Sequence, residues 1–267
     1  MRRFFHLGRL YLRLLIVHQR AQLEYRADAL IGIAGMLLTQ LAGFVFVWTL
    51  FSRVPSIAGW TLMEAAFLYS LLILPRGLAD FLCNGPWRLC QLVHVGGFDR
   101  LLLRPVPLPL QIVTQSSEIH GAGHVILGSY ILATASQRLG YEWTADRVLF
   151  LAITLVSSLV ILGSIILAAN TIAFWQQGES VRLAMFVLNV GDAAQVPLSA
   201  YGPGIRLLVT WVLPYAFVSY YPACVLLGKP LAHPWLGYAA PGAALAMACF
   251  AWFLCRLGVR SYESPGH

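Results

Sequence analysis

The sequence is dominated by long apolar runs separated by short charged breaks, and this pattern restricts the fold more than any other feature. Of the 267 residues, 59% are hydrophobic and 11% are charged, against about 25% charged in a typical soluble domain. Several runs approach or exceed the ~20 apolar residues that a helix needs to cross the hydrocarbon core of a bilayer. The pattern therefore predicts an all-α, multi-pass membrane protein.

Six apolar segments are predicted to cross the membrane within one transmembrane domain that covers residues 1–267. These spans are residues 29–51, 60–82, 109–135, 147–174, 183–198 and 235–257. Ahead of them, residues 1–26 combine leucines at helical spacing with Arg9, Arg13 and Arg20. This combination predicts a basic amphipathic helix that lies in the headgroup plane, and a simple topology anchor explains the pattern equally well.

The distribution of basic residues predicts the orientation of the chain. With the N-terminus in the cytoplasm, 13 of the 18 basic residues lie on the cytoplasmic side, as the positive-inside rule favours. This cytoplasmic set comprises Arg2, Arg3, Arg9, Arg13, Arg20, Arg26, Arg76, Arg88, Arg100, Arg104, Arg182, Arg256 and Arg260. Because the net charge of +7 is spread over such loops, we expect no nucleic-acid partner.

Residues 205–227 form a further apolar run, but a seventh full crossing would place Arg256 and Arg260 on the outer side. A strong turn signal, Tyr201-Gly202-Pro203-Gly204, precedes this run, and Pro214 interrupts it. We therefore predict a re-entrant helical hairpin between the fifth and sixth spans, on the outer side and broken near Pro214. Irregular backbone at that depth needs cover from protein or water.

The segment of residues 96–107, between the second and third spans, carries charge in a chain that otherwise avoids it. Two glycines precede it, and Pro105 and Pro107 disfavour helix in the residues before them. The pattern predicts a short helix over Phe98–Leu103 that lies in water or against a partner. We interpret it as the part through which a component outside the membrane moves this protein.

Polar residues inside predicted spans are candidates for function, because ionisable groups are costly in a membrane. Gln111, Gln115 and Glu118 are spaced i, i+4, i+7, which predicts one polar stripe on the third span. The stripe would face a pore, a neighbouring subunit or a polar substrate, so these residues are translocation-pathway candidates. Hydrogen bonding between helices is the alternative, and it is favoured for the two glutamines. Asp192 and Gln195, where the fifth span breaks, are candidates for lining an outer vestibule.

Several other patterns are interpreted as structural. His120 and His124 have the spacing of two metal ligands on one helix, but no acidic or cysteine partner is obvious, so no metal is expected. Arg76 and Asp80 are spaced i, i+4, which predicts an ion pair within one helix. Glu64 lies in the first turn of the second span, where the helix dipole favours a carboxylate, and it is interpreted as structural. The five cysteines form no C-x-x-C pair, which is typical of free thiols. The chain has no G-x-x-x-x-G-K-[ST] motif, so we expect no ATPase activity in the chain itself.

The order of these elements resembles the permease subunits of ABC-2-type ABC exporters over essentially the whole chain. The most characteristic pieces are Gly97-Phe98-Asp99-Arg100-Leu101-Leu102-Leu103-Arg104-Pro105, the run from Leu213 to Pro222, and the tail from Gly258 to Ser264. Together they are similar to the branch in which two separate, often paired, permeases accompany one ATPase. The resemblance implies a bacterial cytoplasmic (inner) membrane, with both termini in the cytoplasm.

The resemblance also implies how the chain is driven. The short helix would be a coupling helix that docks in a groove of a separate ATPase subunit. The working complex would contain two copies of this ATPase and a second permease chain, identical or paralogous. The implied coupling residues are Phe98, Asp99, Arg100, Leu101 and Arg104. The candidates for an outer gate are Asp192, Pro214, Tyr221 and Pro222. No cofactor is expected on this chain, since ATP and Mg²⁺ would be bound by the ATPase.

Two other functions remain open. An intramembrane enzyme could use Glu118 with His120 or His124 on a lipid substrate, and it would be active without ATP. A secondary transporter or channel is typically built from inverted repeats with two matched broken helices, whereas this sequence has one break. The transported substrate is not identified by the residues or by the resemblance.

Overall fold

The computed structural model describes residues 2–176 and 181–263, and in this part the chain is helical apart from loops and one isolated bridge between Ile57 and Trp60. The α-helices are α1 (Arg2–Glu24), α2 (Arg26–Ser52), α3 (Leu62–Cys83), α4 (Leu89–His94), α5 (Asp99–Leu102), α6 (Leu108–Val113), α7 (Ala122–Arg138), α8 (Ala145–Asn170), α9 (Val181–Gly191), α10 (Pro203–Leu207), α11 (Tyr220–Leu226) and α12 (Ala240–Arg260). The side chains of Arg2 and Arg3, and residue Ser264, lie outside the described residues.

Four helices in the described part are long and apolar enough to cross a membrane: α2, α3, α8 with the turn that follows it, and α12. A fifth candidate is the pair of helical segments Pro203–Val212 and Tyr215–Leu226, which are bent by 78° relative to each other. The chain is therefore an all-helical, multi-pass membrane protein. The count of six spans stays a prediction, because α7 has 17 residues and α9 has 11, both short for a crossing.

The predicted third span, residues 109–135, is not one helix. It is divided into α6 and α7, and the chain between them has non-helical backbone that reaches an extended conformation at Glu118 (φ −119°, ψ 119°). The Thr114 hydroxyl donates to the carbonyl oxygen of Leu110 at 2.8 Å, and the Glu118 amide donates to that of Asp80 at 3.0 Å. These hydrogen bonds use groups at Leu110 and Glu118 in place of the main-chain hydrogen bonds of a continuous α-helix, and so they favour the interruption.

Helix α3 is the central element of the bundle and is buried along most of its length. It begins with a capping box in which the Thr61 amide donates to Glu64 Oε2 at 2.8 Å and the Glu64 amide donates to Thr61 Oγ1 at 3.5 Å. Its most extensive partner is α7. The two elements approach closely where Gly77 of α3 meets Gly121, the residue before α7. A side chain would not fit at either position, because a Cβ there would lie 2.6–2.7 Å from the carbonyl oxygen of the other glycine. This packing holds the second half of α3, whose residues from Leu78 onward are partly buried, against the start of α7.

Helix α2 lies at the rim, and almost all of its apolar surface is exposed. It approaches α7 and the turn before it closely at two points: a Cβ on Gly32 would clash with the His120 ring of the turn, and one on Gly123 of α7 would lie 2.6 Å from the Ile33 carbonyl oxygen. Glycines at and near the start of α7 therefore allow close packing of the chain against α2 and α3. The outer face of α2 is left for lipid or another chain.

The bent pair between α9 and α12 is tied to the rest of the bundle at its break and just after its second arm. The buried Tyr215 ring follows the break at Pro214 and packs on Gly191, whose Cβ position would lie 2.6 Å from that ring. At the far end, Lys229 Nζ lies 2.7 Å from Glu64 Oε1 and donates to the Gly59 carbonyl oxygen at 2.8 Å. The segment is therefore anchored beside the start of α3.

Candidate functional site

Helix α5 is attached to the bundle by two buried side chains, Phe98 and Leu101. The Phe98 ring packs edge-to-face on Phe174 at 5.0 Å between centroids and on Tyr262 at 4.9 Å. We call these three rings the aromatic cluster. Gly258 on α12 leaves room for the cluster, because a Cβ there would clash with Phe174. Phe98 therefore joins α5 to the ends of α8 and α12.

The opposite face of α5 is exposed and partly apolar. Leu103 is 85% exposed and Leu102 is 46% exposed, while Arg100 and Arg104 lie on the surface beside them. The predicted coupling residues thus divide into two groups, since Phe98 and Leu101 face the bundle. We call Arg100, Leu102, Leu103 and Arg104 the docking face. Exposed leucines rimmed by charged side chains are typical of a surface that another protein covers.

Gln111 connects the segment of residues 96–107 to α6. Its side chain is buried, and Nε2 donates to the carbonyl oxygens of Leu101 at 3.1 Å and Val106 at 2.7 Å. The prediction that Gln111, Gln115 and Glu118 share one helical face is wrong, because the helix ends at Val113. Gln111 faces α5, Gln115 borders a separate cleft beside α1, and Glu118 faces the centre of the bundle.

Helix α1 completes the hydrogen bonds of the break between α6 and α7. The Gln22 side chain donates to the Ser117 carbonyl oxygen and accepts from the Ile119 amide at 2.8 Å. Gln19 Nε2 donates to Ser117 Oγ at 3.1 Å. Unpaired backbone groups at this depth would be costly, so these two glutamines stabilise the non-helical stretch.

Replacing Gln22 with alanine should open this break locally. The Ser117 carbonyl and the Ile119 amide would lose their partner, at a cost of about 1–3 kcal/mol, and the amide hydrogen of Ile119 should exchange faster by roughly tenfold or more. Hydrogen exchange measured by mass spectrometry tests this, with Arg20→Ala on the exposed face of α1 as the matched control. Unchanged exchange at Ile119 in Gln22→Ala would show that α1 does not support the break.

A cavity of about 480 Å³, which combines charged with apolar side chains and is open to the surface at Met185, Asn189 and Asp192, lies between α2, α3, α8 and α9, beside the break; we call it the polar cavity. Its ionisable lining residues are Arg76, Asp80, Glu118, His124 and Asp192. Of the three predicted pathway residues, Glu118 alone borders it. Charged side chains at this depth mark pathways or binding sites in membrane proteins more often than they mark structural cores.

Arg76 pairs across the cavity with Asp192. The distance between Arg76 Nη1 and Asp192 Oδ1 is 2.7 Å, and Gln195 Nε2 donates to the same oxygen at 3.0 Å. The predicted Arg76–Asp80 pair is therefore wrong. The two predicted positions, Arg76 on the cytoplasmic side and Asp192 in an outer vestibule, exclude each other, because the two side chains touch.

A second polar chain runs from α3 through α7 to α2. Asp80 Oδ2 lies 3.4 Å from His124 Nδ1, and His124 Nε2 lies 2.8 Å from Gln40 Nε2. The Tyr69 hydroxyl donates to the Gln40 carbonyl oxygen at 2.6 Å. With Gln40 as donor, the imidazole proton is on Nδ1 and faces Asp80. Gln40 was missed at the sequence level, although a lone amide within an apolar span is the signal that could have found it.

The remaining outer-gate candidates lie in the bent pair, and all of them are buried. Pro214 is at the break, and Tyr221 and Pro222 begin α11. The Tyr221 hydroxyl lies 3.2 Å from Thr210 Oγ1 on the other arm, and its ring packs on Phe217 at 4.9 Å between centroids. The contact between Tyr221 and Thr210 joins the two arms, and the role of these candidates as a gate stays a prediction.

A family model described as ABC-2 family transporter protein matches residues 37–266, so the chain belongs to this family. The match covers α3, the α5 segment, the polar cavity and the bent pair. Helix α1 and the first part of α2 precede it. The comparisons with curated proteins and with solved structures found no match.

Proposed function

We propose that this chain is the transmembrane subunit of an ATP-driven ABC exporter. It would form the translocation pathway with a second, identical or paralogous permease in a bacterial inner membrane, with both termini in the cytoplasm. Two copies of a separate ATPase would bind the ATP and Mg²⁺. Family membership supports the class, and the observation that carries the coupling is the docking face, where Leu103 is 85% exposed on a segment fixed firmly to the bundle.

Movement of α5 would reach the membrane part by two routes. The first runs through the aromatic cluster to the ends of α8 and α12. The second runs through Gln111 to α6 and then to the break, where the Glu118 amide is bonded to the Asp80 carbonyl. Because the chain is interrupted between α6 and α7, a movement of α5 would be transmitted by a shift of α6 against its packed neighbours and not along one continuous helix.

The polar cavity is the proposed part of the pathway in this chain. Its lining side chains Met185 and Asn189 on α9 are exposed, and Met36 and Gln40 border it on the exposed helix α2. A second permease placed against this side would close the cavity and extend it into a path between the two chains. The charged interior would then face the cargo and water, where its solvation cost is lower.

Replacing Leu103 with aspartate should abolish capture of the ATPase. The substitution adds an acidic group to an apolar surface between Arg100 and Arg104 without touching the core, so the permease should fold normally. Co-purification of tagged permease with the ATPase tests this, and we expect a loss of about tenfold or more. Val54→Asp, in the exposed α2–α3 loop, is the matched control. Equal capture by Leu103→Asp and wild type would contradict the docking face, and a wild-type chain that captures no ATPase would contradict the proposed function.

A further inference from the structure

Carboxylates outnumber basic groups on the described lining of the polar cavity, three to two. Arg76 and Asp192 neutralise each other at 2.7 Å. Asp80 and Glu118 both border the cavity, and a main-chain hydrogen bond from the Glu118 amide to the Asp80 carbonyl oxygen, at 3.0 Å, joins the two residues. The remaining basic group on the described lining is His124, whose Nδ1 is 3.4 Å from Asp80 Oδ2. Two carboxylates therefore share a site with one imidazole.

Such a site attracts positive charge. Two carboxylates in a medium of low dielectric constant repel each other and lose solvation, so the site is stabilised when a cation is bound between them. The ion pair on the Asp192 side leaves this excess in place, because Arg76 is already neutralised. The charge pattern thus favours a cation and disfavours an anion.

An independent observation also points to a ligand. His124 is 5% exposed and borders the cavity, and the contact of its Nδ1 with Asp80 Oδ2, at 3.4 Å, lacks the geometry of a hydrogen bond. Gln40 fixes the other ring nitrogen at 2.8 Å, which holds the imidazole in one orientation. A buried N–H group without a hydrogen bond costs free energy, and a hydrogen-bond acceptor on the bound molecule, beside its positive charge, would offset that cost.

The rest of the lining suits an organic cation better than a metal ion. Trp87 borders the cavity, and Met36 and Met185 lie on the same lining. An aromatic face and polarisable thioethers stabilise organic ammonium or phosphonium groups and their apolar substituents. Within the described residues no three metal-ligating side chains converge. A volume of about 480 Å³ is also in the range of sites for drug-sized molecules.

We propose that the polar cavity binds the positively charged group of an organic cargo molecule, with Asp80 and Glu118 as its counter-charges and Trp87 as an aromatic wall. That the bound molecule is cargo rests on the proposed function. The binding itself requires neither the ATPase nor ATP, so the two proposals can fail separately.

The test compares two probes of nearly equal size and opposite charge, tetraphenylphosphonium and tetraphenylborate. The full-length chain is placed in nanodiscs of zwitterionic lipid, and equilibrium binding of each probe is measured against empty nanodiscs. We expect saturable binding of tetraphenylphosphonium and none of tetraphenylborate. Asp80→Asn and Glu118→Gln should each weaken the binding by about tenfold, and Glu142→Gln, an exposed loop carboxylate, should leave it unchanged.

Absence of saturable tetraphenylphosphonium binding, equal binding of both probes, or wild-type affinity in Glu118→Gln would overturn the proposal. Glu118 is partly exposed and makes no described side-chain ion pair, so its variant stays informative even where Asp80→Asn does not assemble. If the ATPase is captured but no cation binds, the exporter function stands and this inference falls. If cations bind but no ATPase is captured, the cavity stands and the exporter function falls.

Discussion

Replacing Phe98 with alanine should lower the free energy of unfolding by about 3–5 kcal/mol, the cost of removing a fully buried aromatic side chain. Phe98 is completely buried and contacts both Phe174 and Tyr262, so its loss leaves a cavity between the ends of α8 and α12. Titration with SDS, followed by circular dichroism in mixed micelles, measures this change. Capture of the ATPase should also weaken, because α5 loses its attachment although the docking face is intact.

The control for Phe98→Ala lies in the same segment. Leu103→Ala removes an apolar side chain of similar volume that is 85% exposed, and it should change the free energy of unfolding by no more than about 0.5 kcal/mol. Phe98→Leu, which fills much of the cavity left by Phe98→Ala, should restore most of the stability and most of the ATPase capture. Equal effects of Phe98→Ala and Leu103→Ala on unfolding would contradict the placement of the aromatic cluster.

Replacing Asp192 with asparagine should lower the free energy of unfolding by about 2 kcal/mol. The variant leaves Arg76, whose side chain is 12% exposed, without its partner. The expected cost is below the roughly 3–5 kcal/mol of a fully buried pair because the Asp192 side chain is 49% exposed. Removing both charges in Arg76→Gln/Asp192→Asn should cost less than the sum of the two single changes, by about 1 kcal/mol.

The same SDS titration decides this second case, with Asp146→Asn as a control on the exposed start of α8. Strict additivity of Arg76→Gln and Asp192→Asn would mean that the two side chains do not interact in the folded protein. A pair between Arg76 and Asp80, as the sequence spacing suggests, would instead give a coupling energy for those two residues and none for Asp192.

The local sequence pattern was sufficient to predict the long helices, which are recognised by their length and hydropathy alone. Helices α2, α3, α8 and α12 lie close to four predicted spans, since about 20 apolar residues can cross a bilayer only as a helix. The short helix Asp99–Leu102 falls within the predicted Phe98–Leu103, because glycines precede it and prolines follow it. Which of its side chains face inward could not be predicted, because Phe174 and Tyr262 are distant in sequence.

The break between α6 and α7 and the lining of the polar cavity depend on contacts that no local pattern contains. The break is stabilised by Gln22 of α1 and by the Asp80 carbonyl of α3, while the polar spacing of residues 111–118 fits a continuous helix equally well. Arg76 lies one turn from Asp80, yet α9 brings Asp192 closer. Spacing along one helix predicts a possible pair, and packing between helices selects the real one.

The most direct test of the central claim is a cross-link from the docking face to the ATPase. A photoreactive phenylalanine analogue at Leu103, irradiated in membranes that contain permease and ATPase, should give a covalent adduct between the two proteins. The same analogue at Val54, exposed in the α2–α3 loop, should give none. An ATPase adduct from Leu103 alone is the predicted result. No adduct from Leu103, or equal adducts from both positions, would contradict the assignment of α5 as the coupling element.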